Sequence, residues 1–314
     1  MKKVILGLVA ITALVACSKD NGNDNSNSNG GGHNNNGNPA IEQETFPKEI
    51  TYKDKNGNII MKNVLTIVEG KIAGWSWTSY EDEQEKSENT IITYKGNLPE
   101  KEVSPRETTT YTYEGNKLVK KIEERQREGG TVRRTETTYT YEGNNISKII
   151  KKKASKVYWN HDLVDATSFE ESNFQYNGNL IVVNKTGYDE LADKTKLNQV
   201  VSTVIYTIEN GNITKEEVTI SPSHKVTTEY TYDRKKNPKL FNLQKILYPD
   251  YFTNKDFSKN NVLTITETTE ENGNTEIRRG SYEYVYNGNY PTTVKEFQER
   301  NGNREPGETI EYKY

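Results

Sequence analysis

A single cysteine, Cys17, serves the whole 314-residue chain, and only three histidines accompany it. One thiol cannot close an intrachain disulfide, and beyond residue 40 no cysteine is left to act as a nucleophile. His161 and His224 are the histidines outside the first 40 residues, too few and too far apart for a His-rich metal site. His161 with Asp162 and Asp165 does not match the spacing of a calcium loop, which needs a closing bidentate Glu. No Gly-x-Ser-x-Gly occurs, so the sharp turn that presents a nucleophilic serine is missing too. Adjacent acids do occur, at Glu123-Glu124, Glu170-Glu171, Glu216-Glu217 and Glu270-Glu271. Strand neighbours point to opposite faces, so none of these pairs is a catalytic dyad by itself. The expectation is a protein that is not an enzyme and needs no cofactor.

Charge of one sign is also lacking. The 42 basic and 45 acidic residues are mixed along the chain and leave a net charge of -3. That balance gives no long-range field to attract nucleic acid or an anionic membrane surface. The cluster Lys148, Lys151, Lys152, Lys153 and Lys156 is interrupted by Ile149 and Ile150, and reads as a solvated strand face or charged edge protection. Hydrophobic residues make up only 32% of the chain and mean hydropathy is -0.95. Such values on their own point to disorder.

Tyrosine argues otherwise. The 21 tyrosines recur at strand period, interleaved with Thr, Val and Ile. In Tyr111-Thr112-Tyr113-Glu114-Gly115-Asn116-Lys117-Leu118 the tyrosines share one face and the threonines the other, and Gly115-Asn116 closes a tight turn. The phrase returns about 28 residues later from Tyr139, the length of two strands and two turns. Two early hairpins turn at Gly57 and Gly70, the Gly-Asn signal recurs at Gly96, Gly178, Gly211 and Gly288, and a second set of turns stands at Gly130, Gly273 and Gly302. Alternation between two rims predicts an all-β, antiparallel up-and-down meander over residues 41–314, curled into a soluble barrel or near-barrel. The competing arrangement is an open single-layer sheet. With few Leu and Phe, the core is expected to be thin and built largely of tyrosine rings.

Three stretches break the pattern. Residues 159–165 and 187–194 read as long polar loops, and residues 232–252 carry two prolines that exclude a central strand. Binding residues collect on such loops, which makes Trp159, His161, Tyr248, Tyr251 and Phe252 the candidate binding residues. The alternative is that these aromatics plug an open end of the sheet.

The N-terminus has a positive Lys2-Lys3 and an apolar run from Val4 to Ala16, the form of a secretory signal. Its end, Leu14-Val15-Ala16-Cys17, resembles the bacterial lipoprotein lipobox. The resemblance implies a signal peptide over 1–17 and a lipid-modified Cys17 that attaches the chain to a membrane. Residues 18–40 are nearly all Asn, Gly, Ser and Asp, a flexible tether with a reach of about 25 Å. Ser18-Lys19-Asp20 partly resembles the export tract of Bacteroidetes-type surface lipoproteins.

The phrase Tyr-x-Tyr-(Glu, Asn or Asp)-Gly-Asn followed by Leu or Ile resembles the YD or RHS-type hairpin repeats of bacterial surface proteins. With Tyr230 to Asp233 and Asn237-Pro238, the chain is similar to uncharacterised Bacteroidetes outer-membrane lipoproteins whose domain of unknown function has a porin-like β fold. The likeness covers residues 50–314 and implies fold; it carries over no catalytic residue. A barrel that spans the membrane is disfavoured, because charges occupy both faces of the repeat strand Leu118 to Glu124. The expected function is that of a lipid-anchored envelope protein, at the cell surface or the periplasmic face of the outer membrane, binding a glycan or a protein. The alternative is a structural or assembly partner of an outer-membrane complex.

Overall fold

A computed structural model describes residues 45–314, apart from Asp82, Glu83, Glu128 and Asn301. Cys17, the segment before it and the 18–40 tether lie outside the described residues. The strands are β1 (Glu49–Lys53), β2 (Ile59–Val68), β3 (Lys71–Glu81), β4 (Gln84–Lys95), β5 (Leu98–Val103) and β6 (Glu107–Glu114). They continue as β7 (Lys117–Gln126), β8 (Val132–Glu142), β9 (Asn145–Trp159), β10 (Asp162–Asn177), β11 (Leu180–Glu190) and β12 (Lys196–Glu209). The last are β13 (Asn212–Ser221), β14 (His224–Lys236), β15 (Asn260–Glu271), β16 (Asn274–Asn287), β17 (Tyr290–Arg300) and β18 (Asn303–Lys313). Each pairs antiparallel with its sequence neighbours in a single 18-stranded sheet. β1 also pairs with β18, Ile50 opposite Tyr312 and Tyr52 opposite Ile310, so the sheet closes into a barrel.

Alternation sorts the two faces. Tyr111, Thr109, Tyr139 and Thr137 are buried inside, while Thr110, Thr112 and Thr140 are exposed outside. The outer wall carries charge chains that run across strands. Glu136 takes Lys120 and Lys152, each at 3.0 Å. Glu217 sits between Lys215 at 3.2 Å and Lys225 at 2.7 Å. Glu49 links Lys62 at 2.7 Å and Lys313 at 2.6 Å across the closing seam.

The repeat has a structural reason that the period alone does not reveal. In the β6–β7 hairpin Tyr113 faces Leu118 and Thr112 faces Lys120, so Val119 is an extra residue. The same bulge recurs in the hairpins β2–β3, β4–β5, β8–β9, β12–β13 and β16–β17. It turns Leu118 inward beside Lys121 and Glu123 and leaves Lys120, Ile122 and Glu124 outward. A strict alternation puts Leu118 with Lys120, which the bulge corrects.

Tyrosine hydroxyls then tie one hairpin to the next, near the rim where the Gly-Asn turns lie. Tyr94 donates to the Ile72 carbonyl at 2.7 Å, Tyr141 to Leu118 at 2.8 Å and Tyr176 to Ile146 at 2.9 Å. Tyr232 donates to Ile213 at 2.6 Å, Tyr284 to Val262 at 2.8 Å and Tyr314 to Pro291 at 3.0 Å. Lysines clamp the rim from above. Lys71 donates to the Gly96 carbonyl and Lys235 to that of Gly288, each at 3.0 Å, and Lys117 donates to Gly143. Their ammonium groups lie within 5.7 Å of the ring centres of Tyr94, Tyr286 and Tyr141. At β5, six residues long, the series is interrupted: the Tyr113 hydroxyl is buried without a partner.

A barrel of this strand number has a wide lumen, which in porins stays an aqueous channel. Here residues 237–259, between β14 and β15, fold into it. They form α1 (Asn242–Leu247) and two 3-10 turns, Tyr251–Thr253 and Lys255–Phe257. Leu243 and Leu247 are fully buried in one cluster with Tyr111, Tyr139, Val183 and Val204 of the inner wall. Phe46 packs on Phe241 with ring centres 5.0 Å apart. The mouth of the insertion is pinned by Asn237, whose side-chain N–H donates to the carbonyls of Asp256 and Ser258, each at 2.8 Å. Asp233 accepts from the backbone and side-chain N–H of Asn261, each at 3.0 Å, and from the Tyr286 hydroxyl.

Two of the three expected loops are strands. Trp159 ends β9 and Asp162 begins β10, and the connection is the two residues Asn160 and His161 with φ of 49° and 70°. Both are left-handed, the geometry of a tight hairpin turn, and Asn supplies the tolerance that Gly supplies elsewhere. Residues 187–190 continue β11, and a short turn follows in which Asp193 accepts from the Thr195 N–H at 2.9 Å. Polar composition there reflects strand ends and tight turns; Asp189, for instance, faces inward and accepts from the Ser155 and Ser168 hydroxyls.

The tyrosine ties make a paired prediction. Tyr141→Phe leaves the Leu118 carbonyl without its donor and is expected to cost about 1–2 kcal/mol. Tyr113→Phe removes a buried hydroxyl that has no partner and is expected to raise stability by about 1 kcal/mol. Urea denaturation of both variants measures the difference.

Candidate binding site inside the barrel

The insertion does not fill the lumen completely. Between it and the inner wall of β11 to β14 lies a cavity of about 430 Å³. Inward positions on four consecutive strands supply Lys185, Tyr206, Glu216 and Tyr230, and the insertion supplies Tyr248, Asp250, Tyr251, Lys255 and Phe257. Register explains the wall: Tyr206 faces Glu216 across β12–β13, and Glu216 faces Thr228, two residues before Tyr230, across β13–β14.

Rings and acids are interleaved. The Tyr230 hydroxyl donates to Glu216 Oε2 at 3.3 Å, and Tyr206 donates to the same carboxylate. Tyr248 stacks on Phe257 with centres 6.4 Å apart, and the Lys121 ammonium lies 5.4 Å from the Tyr248 ring centre. Burial pushes the Glu216 carboxyl up, against the opposing pull of Lys185 and the two phenols. Burial likewise raises Asp250, against its own backbone N–H, Lys121 and Lys185. Burial raises Tyr206 and Tyr230 too, so both remain neutral donors. The cavity therefore offers aromatic faces, two carboxyls and two ammonium groups, a lining suited to a neutral ligand rich in hydroxyls.

The candidates read from the sequence separate into two groups. Tyr248 and Tyr251 line the cavity. Phe252 points instead into the core, edge-on to Phe174 and Tyr176 at 6.2 and 6.1 Å. Trp159 and His161 are at the β9–β10 turn, on the rim opposite the one from which the insertion enters, so the structure does not bring them to this site. Lys185, Tyr206, Glu216 and Tyr230 were not singled out by the sequence as a group. Alternation does separate Glu216 from Glu217, and the structure places Glu216 inside and Glu217 outside between two lysines. The lysines of β9 are each beside a carboxylate: Lys148 with Glu171, Lys151 and Lys153 with Glu170, Lys152 with Glu136, and Lys156 with Asp165.

No family model matches the chain, and no curated protein matches it in sequence. Among solved structures, a porin-like protein from Bacteroides vulgatus is similar, with 13% identity and a TM-score of 0.45 over 86% of this chain and 99% of that one. A porin-like protein from Bacteroides uniformis is similar with 12% identity and a TM-score of 0.40, over 85% of this chain and 96% of that one.

Beside the cavity, Lys255 and Lys239 hold Asp256 at 2.9 and 3.7 Å. Burial opposes its ionisation, but the two lysines outweigh burial and hold the carboxyl down at about 2. A carboxyl lowered on folding adds stability that is present above its unfolded value, near 4, and is lost as pH falls through about 2. Asp256→Asn is therefore expected to cost about 2 kcal/mol at pH 7. The deficit relative to the parent should shrink between pH 4 and pH 2, as acid titrations of urea unfolding measure.

Proposed function

We propose that the chain is a lipid-anchored envelope protein whose barrel binds a glycan without transforming it. The observation that carries this reading is the cavity under the insertion, where five aromatic rings and two carboxyls converge. Sugar rings present C–H faces that pack on aromatic rings and hydroxyls that pair with carboxyls and amines. Hydrolysis is the less favoured chemistry here. A glycosidase needs its two carboxyls pushed apart, one neutral and one ionised. Glu216 and Asp250 are both raised, by the same cause.

The outer wall favours an anchored barrel over a spanning one. Lysine facing the bilayer midplane costs a spanning barrel roughly 2–4 kcal/mol, and the chains around Glu136, Glu217 and Glu49 each put two lysines outward. Membrane attachment then falls to Cys17, where two or more acyl chains give stable anchoring. A second reading, an assembly partner in an outer-membrane complex, is favoured by the β9–β10 turn region, where Tyr158 is 79% exposed and Leu163 54%.

A glycan array probed with the mature protein tests the first reading. Replacing Tyr206 and Tyr230 together by Ala is expected to reduce retention on the bound glycan at least about tenfold, the loss expected when stacking and hydrogen-bonding partners are removed. Binding that survives the double change would place recognition elsewhere. Cys17→Ser is expected to abolish incorporation of a fatty-acid analogue while leaving the barrel folded. Equal labelling of the Ser variant would remove the anchor from the argument, as would a variant starting at residue 41 that still requires detergent.

A further inference from the structure

A second hollow lies on the inner wall between β3 and β7. Its cavity, about 170 Å³, is lined by Trp75 and Trp77 of β3, Glu102 of β5, Arg106, Glu107 and Arg125, among others. Trp75 and Trp77 are two apart on one strand, so their indoles share the inward face. Glu102 stands on the same face, opposite Ile92 and Thr109. It is 7% exposed, and its Oε1 has no hydrogen-bond partner. A buried polar atom without a partner is costly, so the Glu102 oxygen, which lines the hollow, calls for an occupant.

The surroundings select the occupant's chemistry. Arg106 is held by Glu88 at 3.6 Å and Arg125 by Glu107 at 3.9 Å, loose pairs in which the guanidinium groups keep donors to spare. With Glu102 the hollow has three carboxyls against two guanidinium groups, which disfavours an anion. The guanidinium groups themselves disfavour a cation. What remains is a neutral group with hydroxyls to give and accept and an apolar face for the indoles. The volume falls below the roughly 300 Å³ of drug-sized pockets, which limits the occupant to about one ring.

We infer that Trp75, Trp77, Glu102, Arg106 and Arg125 form a second saccharide subsite, taking a single neutral sugar ring, separate from the cavity beneath the insertion. A sugar hydroxyl donates to Glu102 Oε1, others accept from the arginines, and the ring's C–H face packs on an indole. Burial pushes the Glu102 carboxyl up to about 7, so the group is poised to gain from a new hydrogen bond in either protonation state. The inference extends the glycan-binding reading but does not share its residues.

Tryptophan fluorescence tests it, because the chain has three tryptophans and Trp159 is the one outside this hollow. In the full-length mature protein carrying Trp159→Phe, the emission comes from Trp75 and Trp77. Titration with glucose, galactose, mannose and N-acetylglucosamine, each to about 100 mM, should give a saturable change with at least one of them, of the weak affinity expected for a single ring. Adding Glu102→Gln or Trp77→Phe should weaken that response at least about tenfold, with the far-ultraviolet spectrum unchanged. The Tyr206 and Tyr230 double replacement should leave it intact. No saturable change with any of the four sugars overturns the inference, as does a response that Glu102→Gln leaves unaltered or that the double replacement removes. A negative glycan array with a positive fluorescence titration would overturn the larger cavity and spare this one.

Discussion

Everything in this barrel depends on the hydrogen-bonded pairing of β1 with β18. An 18-stranded sheet left open would expose two unpaired edges, each a template for another chain. Closure satisfies both edges with five residue pairs between Glu49–Lys53 and the C-terminal strand. The seam is short, and ion pairs reinforce it from outside: Glu49 with Lys62 and Lys313, and Lys53 with Glu311 at 2.6 Å. Exposed pairs of this kind contribute little singly. Their value is in register, since a one-residue slip of β18 would bring Tyr312 outward and Glu311 into the lumen.

Closure creates the next problem, a lumen too wide for side chains projecting from the wall to meet. The chain meets it with two devices. Tyrosine is long enough to reach from one hairpin to the next, and its hydroxyl ends on a carbonyl near the rim, where the Gly-Asn turns stop the backbone ladder. The insertion supplies the remaining apolar volume through Leu243, Leu247 and Phe241. The low hydrophobic content is thus compatible with a folded core, because the tyrosines and the insertion supply most of the buried volume. Thr110 and Thr112 are exposed outside and the largest fully buried side chains are inside, although Ile91, Val103 and Val285 are also exposed on the outer wall.

Local features of this architecture were legible in the sequence, and features that depend on distant contacts were not. Gly-Asn turns and Tyr-Thr alternation are decided within a few residues, so the all-β meander and the inward tyrosines could be read directly. The bulge that follows most of these turns could not, since nothing in Leu118-Val119-Lys120 marks Val119 as the extra residue; the pairing partner decides it. Asn160-His161 lacks the glycine that marks the other turns, which made a tight hairpin look like a loop. The aromatics at 248–252 were read as either binding residues or a plug, and they divide: Phe252 packs in the core while Tyr248 and Tyr251 line the cavity. Glu216 could be assigned to one face from alternation. That the insertion would cover it depended on a fold-back from residues 237–259, pinned by Asn237.

The plug also explains why potential sites lie where they do. A uniform ring of repeats, each satisfying its neighbour, leaves few buried polar groups free among the described residues, and the two candidate sites stand where the repetition fails. It fails at β14–β15, where an insertion replaces a two-residue turn and traps a cavity against Tyr206, Glu216 and Tyr230. It fails again at β5, which is six residues long while its neighbours β4 and β6 have 12 and 8. There the tie from Tyr113 is not made, and Glu102 is left with an oxygen unpartnered. Regular hydrogen bonding and binding capacity are complementary in this barrel: each tyrosine tie that is made stabilises the wall, and the unpartnered Glu102 oxygen on the short strand β5 leaves polar capacity turned toward the lumen.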